Sequence, residues 1–241
     1  MIRVDGILAP ATAGSRWAGL ILPLLALAAA LLVSQSAWDM ELQHWFYVPG
    51  SGWLVDAKAP LPRLLFYDGP KVALGIAGGI ALVLILGGFW SARWARMRRE
   101  LVYLLICLAL VPTIISNLKL VTDVYCPSQI REFGGRYLHV PPFRPHPETD
   151  RQAGRCFPAG HASGGYALLA LGFLDRRRSW RAAGAAMGLG AGSVMAVYQM
   201  AKGAHFLSHT LTSLALAWLL VAAVAAWMNL PRRQAGGTAW R

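Results

Sequence analysis

The sequence predicts an all-α, polytopic membrane protein with six transmembrane helices and a long loop on the outer side. Of its 241 residues, 56% are hydrophobic and only 14% are charged, and apolar runs recur along the chain. A bilayer core about 30 Å thick needs about 20 mostly apolar helical residues to cross it. Together with a mean hydropathy of +0.45, these features disfavour disorder and a water-soluble monomer.

The six predicted spans differ in length and polarity. The fourth is short and has a polar start, so its outer end is expected at or below the membrane surface. The first resembles a signal peptide, but the five later spans favour a retained signal anchor. In chain order, the spans cover Trp17–Ser36, Lys71–Trp90, Leu101–Val124, His161–Leu174, Ala182–Met200 and Phe206–Trp227.

The basic residues predict the orientation of these spans. Under the positive-inside rule, Lys and Arg in short loops mark the cytoplasmic side. Thirteen of the 23 basic residues fall in the two termini and in the connections after the second and fourth spans, together with only three acidic residues. We therefore expect a multi-pass protein of the bacterial inner membrane, with both termini in the cytoplasm. The connections 37–70 and 125–160 and the turn near Lys202 would be periplasmic.

The same topology divides the chain into three parts. Residues 1–100 form two spans and an aromatic outer connection, which is expected to lie on the membrane surface without chemistry of its own. Residues 101–227 form a four-span core, and residues 228–241 form a cytoplasmic tail. The segments 93–99 and 176–181 are interpreted as basic loops that signal topology and contact anionic lipid, which disfavours nucleic-acid binding.

Titratable side chains gather at the outer ends of the core spans, where a charge is costly unless it is paired or used. Lys119 and Asp123 share a helical face, and a local ion pair is one interpretation of them. The other interpretation is an anion site, because Pro158 and Gly160 precede a helix N-terminus that would attract a phosphate. Cationic and imidazole side chains near this point suit phosphate chemistry; they are Lys119, His161, Lys202, His205 and His209.

Three motifs around these residues resemble those of the type 2 phosphatidic acid phosphatase superfamily, which shares its site with vanadium haloperoxidases. The resemblance extends from about Leu101 to Trp227. The family motif K-x6-R-P corresponds to Lys119 and Cys126-Pro127, P-S-G-H to Pro158-Ala159-Gly160-His161, and S-R-x5-H-x3-D to Tyr198-Gln199, His205 and His209.

The resemblance implies a membrane lipid phosphatase that works through a phosphohistidine. His205 would attack phosphorus, and His161 would protonate the leaving oxygen and then activate water. Lys119 and the Gly160 backbone N–H would stabilise the phosphoryl oxygens. No cofactor and no metal is implied, and the sequence has no carboxylate cluster suited to one.

Four motif positions depart from the family pattern and remove two arginines, a hydroxyl and a carboxylate. The departures are Cys126, Ala159, Gln199 and His209. Lys202, one helical turn after Gln199, is expected to supply a replacement cation. The further candidates are the arginines of the long loop, Arg131, Arg136, Arg144, Arg151 and Arg155. A degenerate, inactive homologue is the alternative.

His209 and the cysteines complete the set of candidate site residues. His209 is expected to hold the far nitrogen of His205, as the family's Asp would. Cys126 and Cys156 both fall in the outer loop, where an oxidising periplasm would allow a disulfide worth roughly 3 to 4 kcal/mol. Two unpaired thiols are the alternative, and Cys107 in the third span is expected to be a packing residue.

The substrate is left open by the sequence. Phosphatidic acid, phosphatidylglycerol phosphate, undecaprenyl pyrophosphate and the phosphates of lipid A all fit the resemblance. A phosphotransferase that moves phosphate to a second lipid and a non-catalytic protein that binds or carries anionic lipids are the competing functions. The oligomeric state is not predicted.

Overall fold

A computed structural model describes residues 18–149, 151–174, 177–228 and 230. The start of the first predicted span at Trp17, the N-terminal arginines, Arg176 and nearly all of the predicted tail lie outside these residues. The described chain is mostly helical. Its α-helices are α1 (Ile21–Val33), α2 (Trp38–Gln43), α3 (Pro60–Arg63), α4 (Gly69–Gly87), α5 (Ala92–Thr122), α6 (Gly160–Ala167), α7 (Arg178–Ala201) and α8 (Leu207–Trp227).

Shorter elements connect these helices. Strands β1 (Tyr47–Val48) and β2 (Gly52–Trp53) form an antiparallel hairpin in the first outer connection. A π-helical turn, Leu64–Asp68, leads into α4. The 3-10 helices are Ala18–Leu20, His44–Phe46, Pro127–Gln129, Arg131–Phe133 and Leu168–Phe173.

The candidate membrane spans are fewer than the sequence predicts. Within the described residues, the segments long and apolar enough to cross a membrane are Pro60–Gly87, Ala92–Gln129 and Leu207–Trp227. Ile21–Val33 and Trp38–Phe46 qualify only if they are taken as one span with a 79° bend. The predicted fourth and fifth spans are not among these candidates, so the six-span topology stays a prediction.

The basic segments 93–99 and 176–181 are not simple loops. Helix α5 begins at Ala92, so the arginines of the first segment occupy its opening turns. Helix α7 begins at Arg178, which leaves only a short connection before it. Arginine has a high helix propensity, so a basic run can continue a helix beyond the apolar stretch from which a span is predicted.

The buried core is built around one face of α5. Tyr103, Cys107, Val111 and Ile115 recur every four residues and are fully buried. They pack against α6 and α8, and the Tyr103 hydroxyl donates a hydrogen bond to the Val221 carbonyl. The expectation that Cys107 is a packing residue is therefore confirmed.

Helix α7 packs through a stripe of glycines. A Cβ at Gly184 or Gly188 would overlap the backbone at 168–172, and a Cβ at Gly192 would overlap the Tyr166 ring. Small residues every four positions let helices approach closely where apolar burial alone drives little association. This contact holds α6, which carries His161, against α7, which leads to the turn before His205.

Candidate active site

His205 lies in the connection between α7 and α8, and it is 2% exposed. Its Nδ1 is 2.8 Å from the carbonyl oxygen of Cys156. A carbonyl oxygen only accepts hydrogen bonds, so Nδ1 carries the proton and Nε2 keeps a free lone pair. Burial, followed by the nearby charge of Lys119, lowers the pKa of His205 well below its usual value. The site therefore presents a neutral imidazole with a nucleophilic Nε2.

Three contacts position Cys156. A disulfide joins it to Cys126, 30 residues earlier. Its backbone N–H donates to the Val124 carbonyl at 2.9 Å, and its own carbonyl accepts from His205. The group that sets the His205 tautomer is thus fixed to the end of α5.

His161 lies opposite His205, in the first turn of α6. The two ring centroids are 6.2 Å apart. A Cβ added to the neighbouring Gly160 would come within 2.9 Å of Cε and 3.0 Å of Nζ of Lys119. The Lys119 ammonium therefore lies directly against the helix N-terminus, where backbone N–H groups also favour an anion.

A second group of cations meets at Tyr67, a residue outside the predicted core. Tyr67, in the π-helical turn before α4, lies 4.4 Å from the His161 ring between centroids. The Nζ atoms of Lys71 and Lys202 lie 3.8 Å and 4.8 Å from the centroid of the same tyrosine ring. Burial, then the charges of Arg63 and Lys71, lower the pKa of Lys202. Unscreened positive charge of this kind attracts a polyanion.

A family model of the PAP2 superfamily matches residues 100–233, which is more than half of the chain. The chain belongs to the PAP2 superfamily. The resemblance to type 2 phosphatidic acid phosphatases is thereby confirmed, and it supports a phosphatase-type, membrane-associated function. No curated protein and no solved structure matches the chain.

One expected role within the PAP2 motifs is wrong. His209 does not hold the far nitrogen of His205, because the Cys156 carbonyl occupies that position. The ring centroids of the two histidines are 5.8 Å apart, and Nδ1 of His209 is buried with no hydrogen-bond partner among the described residues. A backbone carbonyl thus replaces the carboxylate that the PAP2 motif provides.

Asp123 pairs with Arg151 instead of with Lys119, the partner that one interpretation of the sequence predicted. Asp123 ends α5 in a left-handed conformation and accepts hydrogen bonds from the Arg151 guanidinium and the Gly154 backbone N–H. This arrangement anchors the loop 125–160 to the end of α5. It leaves Lys119 directed toward Gly160.

The loop arginines proposed for the phosphate cradle differ in their surroundings. Arg131 is paired with Glu148 at 2.7 Å and donates to the Arg136 carbonyl, so its guanidinium is already engaged. Arg155 is exposed next to Cys156, and its role stays a prediction. Gln199, at a PAP2 arginine position, is 1% exposed, and its side-chain amide has no partner among the described residues.

Sequence reasoning missed Tyr67 and Lys71 as site residues. Lys71 is the first residue of the second predicted span, and no motif assigns it a role in the site. The available signal was its position, because Lys71 and Lys119 are both predicted at the outer ends of their spans. Tyr67 lies one helical turn before Lys71, which places their side chains together.

The connection 37–70 contacts the segment that carries His205, so its predicted role as a simple surface cap is incomplete. Gln43 donates to the Met200 carbonyl at 2.9 Å, and Val55 N–H donates to the Ala201 carbonyl at 3.1 Å. The Trp53 ring occupies the space that a Cβ at position 203 would need, and Gly203 has a φ of +73°, which favours glycine. Buried Asp39 binds Ser208 at the start of α8. These contacts fix the backbone on both sides of His205.

Proposed function

We propose that this PAP2 protein is an integral-membrane lipid phosphatase that hydrolyses a phosphomonoester or pyrophosphate through a phosphohistidine. The observation that carries the proposal is the neutral His205, whose Nδ1 is bonded to the Cys156 carbonyl while His161 and the lysines surround the same space. A positioned base, a second imidazole and fixed cations are the groups that phosphoryl transfer requires.

The first step forms a bond between His205 Nε2 and phosphorus. The bond from phosphorus to the lipid oxygen breaks, and that oxygen takes a proton from His161. The negative charge of the bound phosphate offsets the nearby ammonium groups and so favours a protonated His161. The products of this step are phosphorylated His205 and the dephosphorylated lipid.

The second step reverses the roles. Neutral His161 takes a proton from water while the water oxygen attacks phosphorus, and the bond from phosphorus to His205 breaks. Inorganic phosphate leaves, and both imidazoles return to their starting states. A lipid hydroxyl in place of water would give phosphotransfer, which is the alternative activity.

Lysines take over the charge that the two missing PAP2 arginines would supply. Lys119 of α5 lies against Gly160, and Lys71 of α4 and Lys202, just after α7, lie over the Tyr67 ring beside His161. Fixed cations in a partly buried site stabilise phosphoryl oxygens without reorganising during the reaction. This arrangement favours an active enzyme over a degenerate homologue.

We place the site on the periplasmic face of a bacterial inner membrane, with both termini in the cytoplasm. The charge asymmetry of the chain supports this orientation. The outer ends of α4 and α5, where Lys71 and Lys119 lie, are consistent with a substrate whose phosphate sits at the headgroup level. Phosphatidic acid, phosphatidylglycerol phosphate, prenyl pyrophosphate and lipid A phosphates are the candidate substrates.

The test is phosphate release from this panel of lipids by the purified protein and by His205→Ala. We expect His205→Ala to lower kcat at least 10³-fold, as an estimate of order of magnitude for loss of a nucleophile. His44→Ala is the matched control, because His44 is exposed and its ring contacts Phe133 instead of a residue of the cluster. Acid-labile label on wild-type protein from a radioactive lipid phosphate would report the intermediate. Equal rates for the two variants would refute the proposal.

A further inference from the structure

A groove of about 460 Å³ descends from the candidate site between α4 and α5. Its outer end is polar and is lined by Lys71, Ser116, Lys119 and His161. Away from this end, its walls are apolar or glycine. The groove is therefore continuous with the phosphate site but changes to a hydrocarbon-like lining within a few residues.

One face of each helix forms the walls. On α5, the lining positions Leu105, Leu108, Pro112 and Ser116 recur at intervals of three or four residues. On α4, the lining is Leu74, Gly75 and Gly78, at the same kind of interval. Such spacing keeps the lining on a continuous stripe of each helix, so the groove follows the helix axes instead of crossing them.

The lengths of the two walls of the groove bracket the thickness of one leaflet of a bilayer. At 1.5 Å per residue, Leu105 lies about 20 Å along α5 from Lys119, and Gly78 lies about 10 Å along α4 from Lys71. The hydrocarbon of one leaflet is about 15 Å thick. The lining ends where Leu105 Cδ1 comes 3.8 Å from the position of a Gly78 Cβ.

We propose that this groove binds one acyl chain of an outer-leaflet phospholipid whose phosphate occupies the His161 and His205 site. The inference rests on the proposed function and specifies its substrate class. A chain of leaflet length fills the apolar stripe, whereas a much longer polyprenyl chain must leave the groove near Leu105. The remaining chain of the phospholipid stays in the surrounding bilayer.

Gly78 is the residue that keeps the deep end open. A leucine at this position would direct its side chain against Leu105 and close the end of the groove. Gly79 offers a matched control, because it is the next residue on the same helix, has nothing within 4 Å of an added Cβ and does not line the groove. Both substitutions replace glycine by leucine in a helix, so their effects on helix propensity are equal.

The kinetic test compares a long-chain with a short-chain phosphatidic acid in mixed micelles. The chain enters the groove from micelle hydrocarbon and not from water, so the effect comes from the steric block and not from hydrophobic transfer. An overpacked site corresponds to roughly a fivefold or greater loss of affinity. We expect Gly78→Leu to raise the ratio of long-chain to short-chain KM about fivefold or more, and Gly79→Leu to leave this ratio unchanged. Equal ratios in the two variants would overturn the assignment.

A binding test separates this inference from the proposed function. A phosphatidic acid with a photoreactive diazirine near the end of one chain should label the 105–112 segment in wild type and in His205→Ala, but not in Gly78→Leu. Labelling without phosphate release would leave the groove standing and refute the phosphatase. Labelling elsewhere, or labelling that Gly78→Leu does not reduce, would overturn the groove even if phosphate is released.

Discussion

Asp39 connects the first outer connection to the nucleophile segment, and its replacement tests whether that connection positions His205. Its Oδ1 accepts a hydrogen bond from the Ser208 backbone N–H at 2.8 Å, and its Oδ2 accepts one from the Ser208 hydroxyl. Ser208 is the second residue of α8 and follows His205 by three positions. The carboxylate thus closes the N-terminus of α8, where the helix dipole favours negative charge.

The expected cost follows from these two hydrogen bonds. Hydrogen bonds to a charged group contribute about 1.5 to 3 kcal/mol each, and Asp39→Ala leaves buried Ser208 donors unpaired. We expect the free energy of unfolding to fall by about 3 to 5 kcal/mol. Asp39→Asn keeps one acceptor oxygen and loses the charge, so a loss of about 1 to 2 kcal/mol is expected. A displacement of His205 by about 1 Å would lower kcat about 10²-fold with a smaller change in KM.

The assay is thermal unfolding in detergent micelles together with phosphate release for both variants. Glu41→Ala is the matched control, because Glu41 is an exposed carboxylate on the same helix as Asp39. A double-mutant cycle with Ser208→Ala should give a coupling energy of about 1 kcal/mol or more. If Asp39→Ala behaved like Glu41→Ala, or if its effect simply added to that of Ser208→Ala, Asp39 would have no positioning role.

Two further predictions concern the phosphate cradle and the disulfide. Gly160→Ala should lower kcat about tenfold with an unchanged melting temperature, because the added Cβ would displace the Lys119 ammonium. Gly190→Ala is the control and should be neutral, because a Cβ at this position meets no neighbour. Equal rates in the two variants would contradict the role of Lys119. Replacing Cys126 and Cys156 by serine should destabilise the fold by about 3 to 4 kcal/mol and lower kcat by freeing the carbonyl that orients His205. A stable, fully active double variant would contradict that coupling.

Much of the helical arrangement follows from the sequence, because long apolar runs have few alternatives in a membrane. The second, third and sixth predicted spans each overlap a helix that qualifies as a membrane span. The fourth and fifth predictions fail this criterion for local reasons. The fourth contains α6, which has only 8 residues and continues as a 3-10 helix. Helix α7 is rich in glycine and alanine, and it associates by close approach to α6 instead of by apolar bulk.

The candidate site was only partly predictable, because motif spacing specifies residues within the core and nothing outside it. The motifs led to His161, His205, Lys119 and Gly160, which the structure brings together. Lys71 enters from α4 and carries no motif of its own. Contacts made by a buried side chain with a distant backbone group, such as the Asp39–Ser208 pair, also have no sequence signature.

The Cys126 departure and the His209 departure are two parts of one rearrangement. Cys126 removes a cation from the phosphate cradle but ties Cys156 to the end of α5. The Cys156 carbonyl then sets the His205 tautomer, so the carboxylate of the PAP2 motif is no longer required for that purpose. A neutral carbonyl stabilises an imidazolium less than a carboxylate does, which keeps His205 as the free base before attack. In the proposed mechanism Lys71 from another helix offsets the lost cation, so departures that resemble decay in the motifs are consistent with a redistributed, complete site.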